Sequence, residues 1–400
     1  MLAWHLPINL NFFHRPKPDL MHLFLAGVAR RVGVALLTLF SPIYIYQVTQ
    51  GLGLAKSTSV ILVLAYFFLI LTTKLITFSI SEDLSRKIGF KGIIWLSGIP
   101  FLVFIVSLVF ASSYPYLFLL AAISWGIHAG FFWWGYHGYF IKTEDSEHFG
   151  QGVGEANFLE TIASVLAPIV GALITTYFGF NTLFIFSGLF MIAGLLLLGK
   201  DHDKRQRRDI KFKEVLGLIR THKSISLAYM GSSAESVLYS TIWPLFLFLF
   251  FGQVISLGAI VSVAALVASI FSIAVGDWVD RQGERTIIAL GAPLSALSWI
   301  LRILNKSFPV FIIADSLENF GQRMVNLPLN ALTYKKALEA ESAKAILFRE
   351  TTMIMGALLV LLILIGWIYF GGNLTGGFVL AAIFSTFPLV AIFKKRIHDK

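Results

Sequence analysis

Long apolar stretches separated by short polar punctuation organise this chain. Twelve of them can be marked, at roughly 21–47, 58–80, 92–112, 116–141, 155–178, 182–199, 224–250, 256–276, 287–304, 309–334, 346–370 and 376–393. Each has about 18 residues or more, and at 1.5 Å per residue such a length crosses a hydrocarbon core of about 30 Å as a helix. A membrane barrel would need short strands of alternating character, whereas a run such as "GALLVLLILIGWIYF" is apolar on every side. The pattern predicts an all-α polytopic membrane protein with twelve spans, numbered 1 to 12 in chain order.

The polar interruptions carry the next layer. The longest, "GKDHDKRQRRDIKFKEV" (Gly199 to Val215), falls between spans 6 and 7 and leaves six spans on either side, the usual size of a transporter repeat. Three local echoes point to duplication. "FSPIYIY" (Phe40–Tyr46) resembles "IWPLFLF" (Ile242–Phe248), and "FLET" (Phe158–Thr161) resembles "FRET" (Phe348–Thr351). "SISEDLSRKIGFKG", after span 2, takes the place that "GDWVDRQGER" takes after span 8. The expected layout is an interfacial segment 1–20, a six-helix bundle 21–199, a basic linker 200–223, a second bundle 224–393 and a tail 394–400.

Composition agrees with this class: 57% hydrophobic residues, 14% charged and a mean hydropathy of +0.78 leave too little polar surface for a soluble protein. The net charge of +10 would suit nucleic acid, but its distribution argues otherwise. Of 32 Lys and Arg, six lie within the spans, Lys56 and Lys306 fall on the turns of one side, and the remaining 24 share the side of the N-terminus. That asymmetry is an orientation signal, and it puts both termini in the cytoplasm of a multi-pass cell-membrane protein. With no cysteine there is no thiolate metal site or disulfide framework, and the nine histidines lack ligand spacing, so neither metal nor cofactor is expected. The first twenty residues hold three prolines and no continuous apolar core, unlike a cleaved signal peptide. No GxxxxGK[ST] phosphate loop occurs.

Ionisable groups within hydrocarbon are costly unless paired or facing a cavity, so each is a candidate functional residue. The basic set is Arg30, Arg31, Lys74, Arg302, Arg323 and Arg349; the acidic set is Glu160, Glu235, Asp315, Glu318 and Glu350. Span 10 is the richest: at 100° per residue, Asp315, Glu318, Asn319, Gln322, Arg323, Asn326 and Asn330 fall within an arc of about 140°. This stripe reads either as pathway lining, with Asp315 or Glu318 carrying a proton, or as a satisfied interhelical network. Arg30 and Arg31 lie mid-depth in span 1, where one could hold an anionic substrate or a carboxylate such as Asp315 or Glu235. Span 4 has an aromatic face around Trp125, His128, Phe132, Trp133, Tyr136 and Tyr139, with His137 on the opposite side from His128, suited either to a flat ligand or to bundle packing. Glu160 and Glu350, equivalent in the duplication, are expected to cap helix ends or pair across the halves, with Lys74 or Arg349 as partners.

Gly276, Asp280, Arg281, Gly283 and Arg285 reproduce the spacing of a signature turn, and the chain on that ground resembles the major facilitator superfamily. The first-half copy is looser: Asp83, Arg86, Lys87, Gly89 and Lys91 keep its composition, with Ser79 in the place of the first glycine. Twelve spans, two halves and a basic central loop extend the resemblance over the whole chain. It implies that spans 1, 4, 7 and 10 line a pathway, that the third helix of each triplet faces lipid, and that Asp280 caps a neighbouring helix across the halves. Arg281 and Arg285 would then pair with Glu144, Asp145 and Glu147. "SVLAPIVGAL" in span 5 faintly resembles an exporter motif at Pro168 and Gly171, Ala167 standing where glycine is expected. The expectation is a monomeric secondary active transporter of a small molecule working by alternating access, driven by protons and leaning to export or antiport, with uptake symport as the alternative. A membrane-embedded enzyme or a non-transporting receptor is the rival class; neither a catalytic cluster nor loss of the polar stripe supports it.

Overall fold

The structure is a computed structural model that describes residues 18–143, 149–198, 212–339 and 342–392. Side chains are described within these ranges except at 18–21, 23, 24, 140–143, 149–164, 212, 213, 271–282, 331–339, 342 and 343. Every described element is helical. The first half comprises α1 (Pro18–Thr38), α2 (Ser41–Gly51), α3 (Lys56–Leu96), α4 (Gly98–Phe110), α5 (Leu117–Thr143) and α6 (Phe149–Leu197). A short α7 (Phe212–Thr221) precedes α8 (Lys223–Phe251), α9 (Val254–Gln282), α10 (Glu284–Leu304), α11 (Phe308–Glu339), α12 (Ser342–Tyr369) and α13 (Thr375–Ser385), which a 3-10 turn, Phe387–Ala391, extends.

Helix boundaries differ from the apolar stretches for a geometric reason. Seven described stretches are long and apolar enough to cross a membrane, and one of them, Lys56–Phe110, runs for 55 residues. A straight helix of that length would measure about 80 Å, far beyond a core of about 30 Å. It folds back at Gly89, whose φ of 79° and ψ of 172° interrupt α3. Gly283 makes the corresponding break before α10, with φ 78°. Side chains are disfavoured there, which is the physical reason both copies of the charged turn carry a glycine at that point. Two further pairs repeat the pattern in order, Gly53 with Gly252 and Gly179 with Gly371, so all six positive-φ glycines among the described residues match across the halves at offsets of 192 to 199 residues.

Within the first half α3 packs on α5 and α1 on α6; within the second α10 packs on α11 and α8 on α12. Between the halves the main contacts are α6 with α9 and α3 with α12. Since α3 begins where α9 begins in the repeat, and α6 where α12 does, these two contacts exchange under the duplication. One apolar core runs through both halves, joining Leu36, Phe40 and Tyr44 to Ile242, Trp243 and Leu361. The outward faces are apolar as well: Leu102, Val106, Leu189, Leu304, Leu362 and Trp367 are all exposed. A continuous exposed apolar belt on a helical bundle has hydrocarbon as its natural solvent.

Candidate functional site

Among the described residues, three polar centres lie in the bundle. The first, within the second half, is built where α8, α10 and α11 meet. Serine, serine, tryptophan and arginine recur on α10 at positions 295, 298, 299 and 302, the i, i+3, i+4, i+7 spacing of one helical face. That face is pressed onto α11 because both helices are glycine at the crossing. A Cβ on Gly291 would stand 2.8 Å from the Gly321 carbonyl oxygen, and one on Gly321 2.9 Å from that of Gly291. Small residues of this kind let membrane helices approach closely.

The approach seats Arg302 against Asp315 at 2.9 Å, with both side chains fully buried. The guanidinium also lies 4.1 Å from the ring centroids of both Trp243 and Trp299, a contact that favours a desolvated cation. Tyr239 donates to the second Asp315 oxygen at 3.2 Å, and Asn319 donates to the Tyr239 hydroxyl at 3.3 Å. One turn further along, Ser295 and Ser298 each lie 2.7 Å from Glu318 Oε2, and Trp299 Nε1 donates to Glu235 Oε1 at 2.9 Å. The chain continues from Gln322 to Ser295, from Asn326 to Gln322 and from Ser232 to Asn326. All seven polar positions on span 10 are therefore held by neighbouring side chains, Arg323 through Ser269 and Asn330 through Arg349 included, while Glu318, bonded through Oε2, keeps its other oxygen without a donor.

The second centre is a cleft lined by Gly27, Arg30, Arg31, Phe132, Trp133 and Tyr136, between α1 and α5. Arg30 is buried, its guanidinium 4.0 Å from the Phe132 centroid and 4.8 Å from that of Trp133. Arg31 is exposed, and Arg323, on α11 of the opposite half, donates to Ser269 of α9 at 3.3 Å. The cleft thus gathers guanidinium charge and aromatic faces at one place, the chemistry that binds an anion carrying a flat apolar body.

The third centre ties the halves together. Glu350 of α12 accepts from Lys74 of α3 at 2.9 Å and from its neighbour Arg349 at 2.7 Å, with His137 of α5 at 3.8 Å. Arg349 also donates to Asn330 at 2.7 Å. Lys74 and Arg349 are the two cations that the sequence offers to Glu350.

The residues singled out in the sequence fall unequally among these centres. Glu235, Asp315, Glu318, Asn319, Gln322 and Asn326 meet in the first; Arg30, Arg31, Trp133 and Tyr136 meet at the second, while Arg323 binds Ser269 of α9. Asp315 turns to Arg302 instead of either span-1 arginine, because α10 is its nearest neighbour. His128 stands apart from both: it is fully buried, within 2.9 Å of the Ser97 carbonyl through Nδ1 and packed by Phe101, Trp125 and Phe132. In the signature turns Arg86 binds Glu82 at 2.8 Å and lies 3.8 Å from Asp83 on its own helix, and Arg285 is exposed. The side chains of Gly276, Asp280, Arg281 and Glu160, and the loop bearing Glu144, Asp145 and Glu147, lie outside the described residues. Sequence reasoning missed the α10 face and Tyr239. The resemblance implies that α10 faces lipid; its other face does, through Leu290, Leu297 and Leu304, but the serine–tryptophan–arginine face is buried. Its spacing was the available signal.

The family model of the Major Facilitator Superfamily matches residues 23–255. Among solved structures, an auto-inhibited POT family peptide transporter superposes with a TM-score of 0.71 at 10% identity, covering 94% of this chain and 95% of its own. The POT family transporter PepTSo superposes with a TM-score of 0.69 at 13% identity, covering 94% and 98%. No curated protein matches the sequence. At such identities the superpositions speak for the fold, and the family model, spanning more than half the residues, speaks for descent: this chain is a multi-pass membrane protein that belongs to the major facilitator superfamily.

Proposed function

We propose that this chain is a secondary active transporter, twelve spans in two bundles with both termini cytoplasmic, which moves a small anionic molecule across the cell membrane as a monomer. The observation that carries the substrate class is the gathering of Arg30 and Arg31 with the Phe132–Trp133–Tyr136 surface in one cleft. A carboxylate or phosphate held by the cleft arginines and reached by Arg323 of the opposite half would draw the halves together, and its release would let them part. Such differential affinity is what alternating access requires. The Lys74–Glu350–Arg349 cluster joins the halves in this state and would have to open in the other. Buried carboxyls in the second half provide groups that a proton gradient can drive. An export or antiport direction is favoured by the Ala167–Gly171 segment, where the Ile169 amide donates to Ser262 of α9 at 3.0 Å across the halves. Peptides, which one of the superposed proteins is described as transporting, carry a terminal carboxylate and are one class to test first.

Proteoliposome uptake and counterflow should be compared for carboxylates, short peptides and their neutral amides, with Arg31→Gln and Arg323→Gln beside wild type. Losing one charge-assisted contact of about 1.5–3 kcal/mol lowers affinity for anions roughly ten- to a hundredfold. Amides transported as well as acids, or variants that keep full preference for anions, would overturn the reading.

A further inference from the structure

Donors and charges are placed differently around the three acids of the first centre, Glu235, Asp315 and Glu318. Asp315 has a cation, Arg302, and a phenol. Glu235 and Glu318 have neither. Each uses only one of its oxygens: Glu235 Oε1 accepts from Trp299, and Glu318 Oε2 is bonded to Ser295 and Ser298. Their other oxygens, Glu235 Oε2 and Glu318 Oε1, have no donor, although the side chains are 0% and 2% exposed. The two carboxyls hang side by side from the same face of α10, Glu318 from Ser295 and Ser298 and Glu235 from Trp299.

Two ionised carboxylates in contact, away from water, repel strongly, and each would also leave a buried acceptor unpaired. The nearest cation, Arg302, is fixed between two indole faces and bonded to Asp315, so one guanidinium has to offset three acids. The other titratable groups that face the pair are Asp315 itself and Tyr239. One proton solves both problems at once. It removes a charge, and it turns one orphan oxygen into an O–H donor for the other, a short charge-assisted bond.

We propose that Glu235 and Glu318 hold a single shared proton between Oε2 and Oε1, a carboxyl–carboxylate pair that joins α8 to α11 and forms the proton site of this protein. Loss of that proton leaves two facing carboxylates, which drives α8 and α11 apart; its return draws them together. Because Trp299 donates to Glu235 with its ring edge and holds Arg302 against its face, that separation also disturbs the Arg302–Asp315 pair. The proton's role in coupling rests on the transporter reading above, whereas the shared proton itself does not.

The test therefore uses the purified full-length protein in lipid nanodiscs, with no substrate. Infrared difference spectra recorded across a pH change should show a protonated-carboxyl C=O band. Glu235→Gln and Glu318→Gln should each abolish it, and Asp315→Asn should leave it in place. Both glutamine variants should fold as well as wild type, since the amide N–H supplies the donor that the proton supplied, while Glu235→Ala, which supplies none, should lower thermal stability. A band that survives either glutamine variant, or glutamine variants as unstable as the alanine one, would overturn the proposal. So would a band that disappears when potassium is exchanged for sodium at constant pH, because the pair would then be a cation site. Absence of transport in vesicles, with the band behaving as described, would instead remove the transporter reading and leave the shared proton standing.

Discussion

Replacing Arg302 by methionine isolates the strongest contact in the second half. The side chain keeps most of its volume but loses its charge, leaving the Asp315 carboxyl buried with the Tyr239 phenol as its donor. Removing one partner of a buried pair costs about 3–5 kcal/mol, because the other charge stays desolvated. Loss of the guanidinium from between Trp243 and Trp299 adds about 2 kcal/mol, the upper range for a desolvated cation–π contact. Arg302→Met is thus expected to destabilise by roughly 5–7 kcal/mol on these two terms. Asp315→Asn should cost less, since the arginine keeps its two rings. In the double variant the orphaned carboxylate is gone, and most of the first, 3–5 kcal/mol term should return. The assay is a double-mutant cycle read by reversible unfolding in mixed micelles, with ligand absent throughout. Additive losses, with a coupling below about 0.5 kcal/mol, would show that the 2.9 Å contact contributes nothing net and would refute the argument.

Other outcomes follow from geometry. Gly89→Ala and Gly283→Ala place a side chain at φ near 79° and 78°; each should lower stability by about 1–2 kcal/mol, and equally, if the turns are equivalent. Gly321→Leu should separate α10 from α11, and should therefore slow or abolish transport while leaving the first half's packing intact, as read by limited proteolysis of the two halves. The chain has no cysteine, so a single Thr351→Cys reports on the buried seam beside Glu350 without background. Maleimide labelling of that thiol should rise roughly tenfold when Glu350→Gln removes the Lys74 and Arg349 pairs, a shift of about 1.4 kcal/mol in the opening equilibrium. Unchanged labelling would mean that the seam is held by other contacts.

Much of the architecture was legible because membranes impose it. Apolar stretches long enough to span must be helical, and a chain with this many must form a bundle. The two charged turns were legible for a different reason: their glycines answer a backbone need, and Gly89 and Gly283 do take the left-handed conformation. Counting helices was less direct, since helices in a bundle can run on through a turn, and α3 and α6 each continue past a single glycine break. The polar stripe of α11 was visible from its 100° spacing, but spacing says which face is polar and not what faces it.

That difference explains what was missed. Arg302 was visible as an ionisable group within span 9, but nothing in its spacing named Asp315 as its partner. Its neighbours Ser295, Ser298 and Trp299 carry no charge, so a search for ionisable groups in hydrocarbon passes over them. Yet it is the uncharged donors that decide which acids here need a cation and which need a proton. Asp315 receives the guanidinium because Arg302 lies on the same face one turn above Ser298, while Glu318 receives the two hydroxyls and Glu235 the indole. Moving one serine of α10 to an arginine would, by the same reasoning, give Glu318 a permanent counter-ion and remove the need for a proton. Ser298→Arg, if the site admits it, should therefore abolish the protonated-carboxyl band and uncouple any transport from pH. A band that persists beside a new arginine at that position would mean that the acids' charge balance is set elsewhere than on the α10 face.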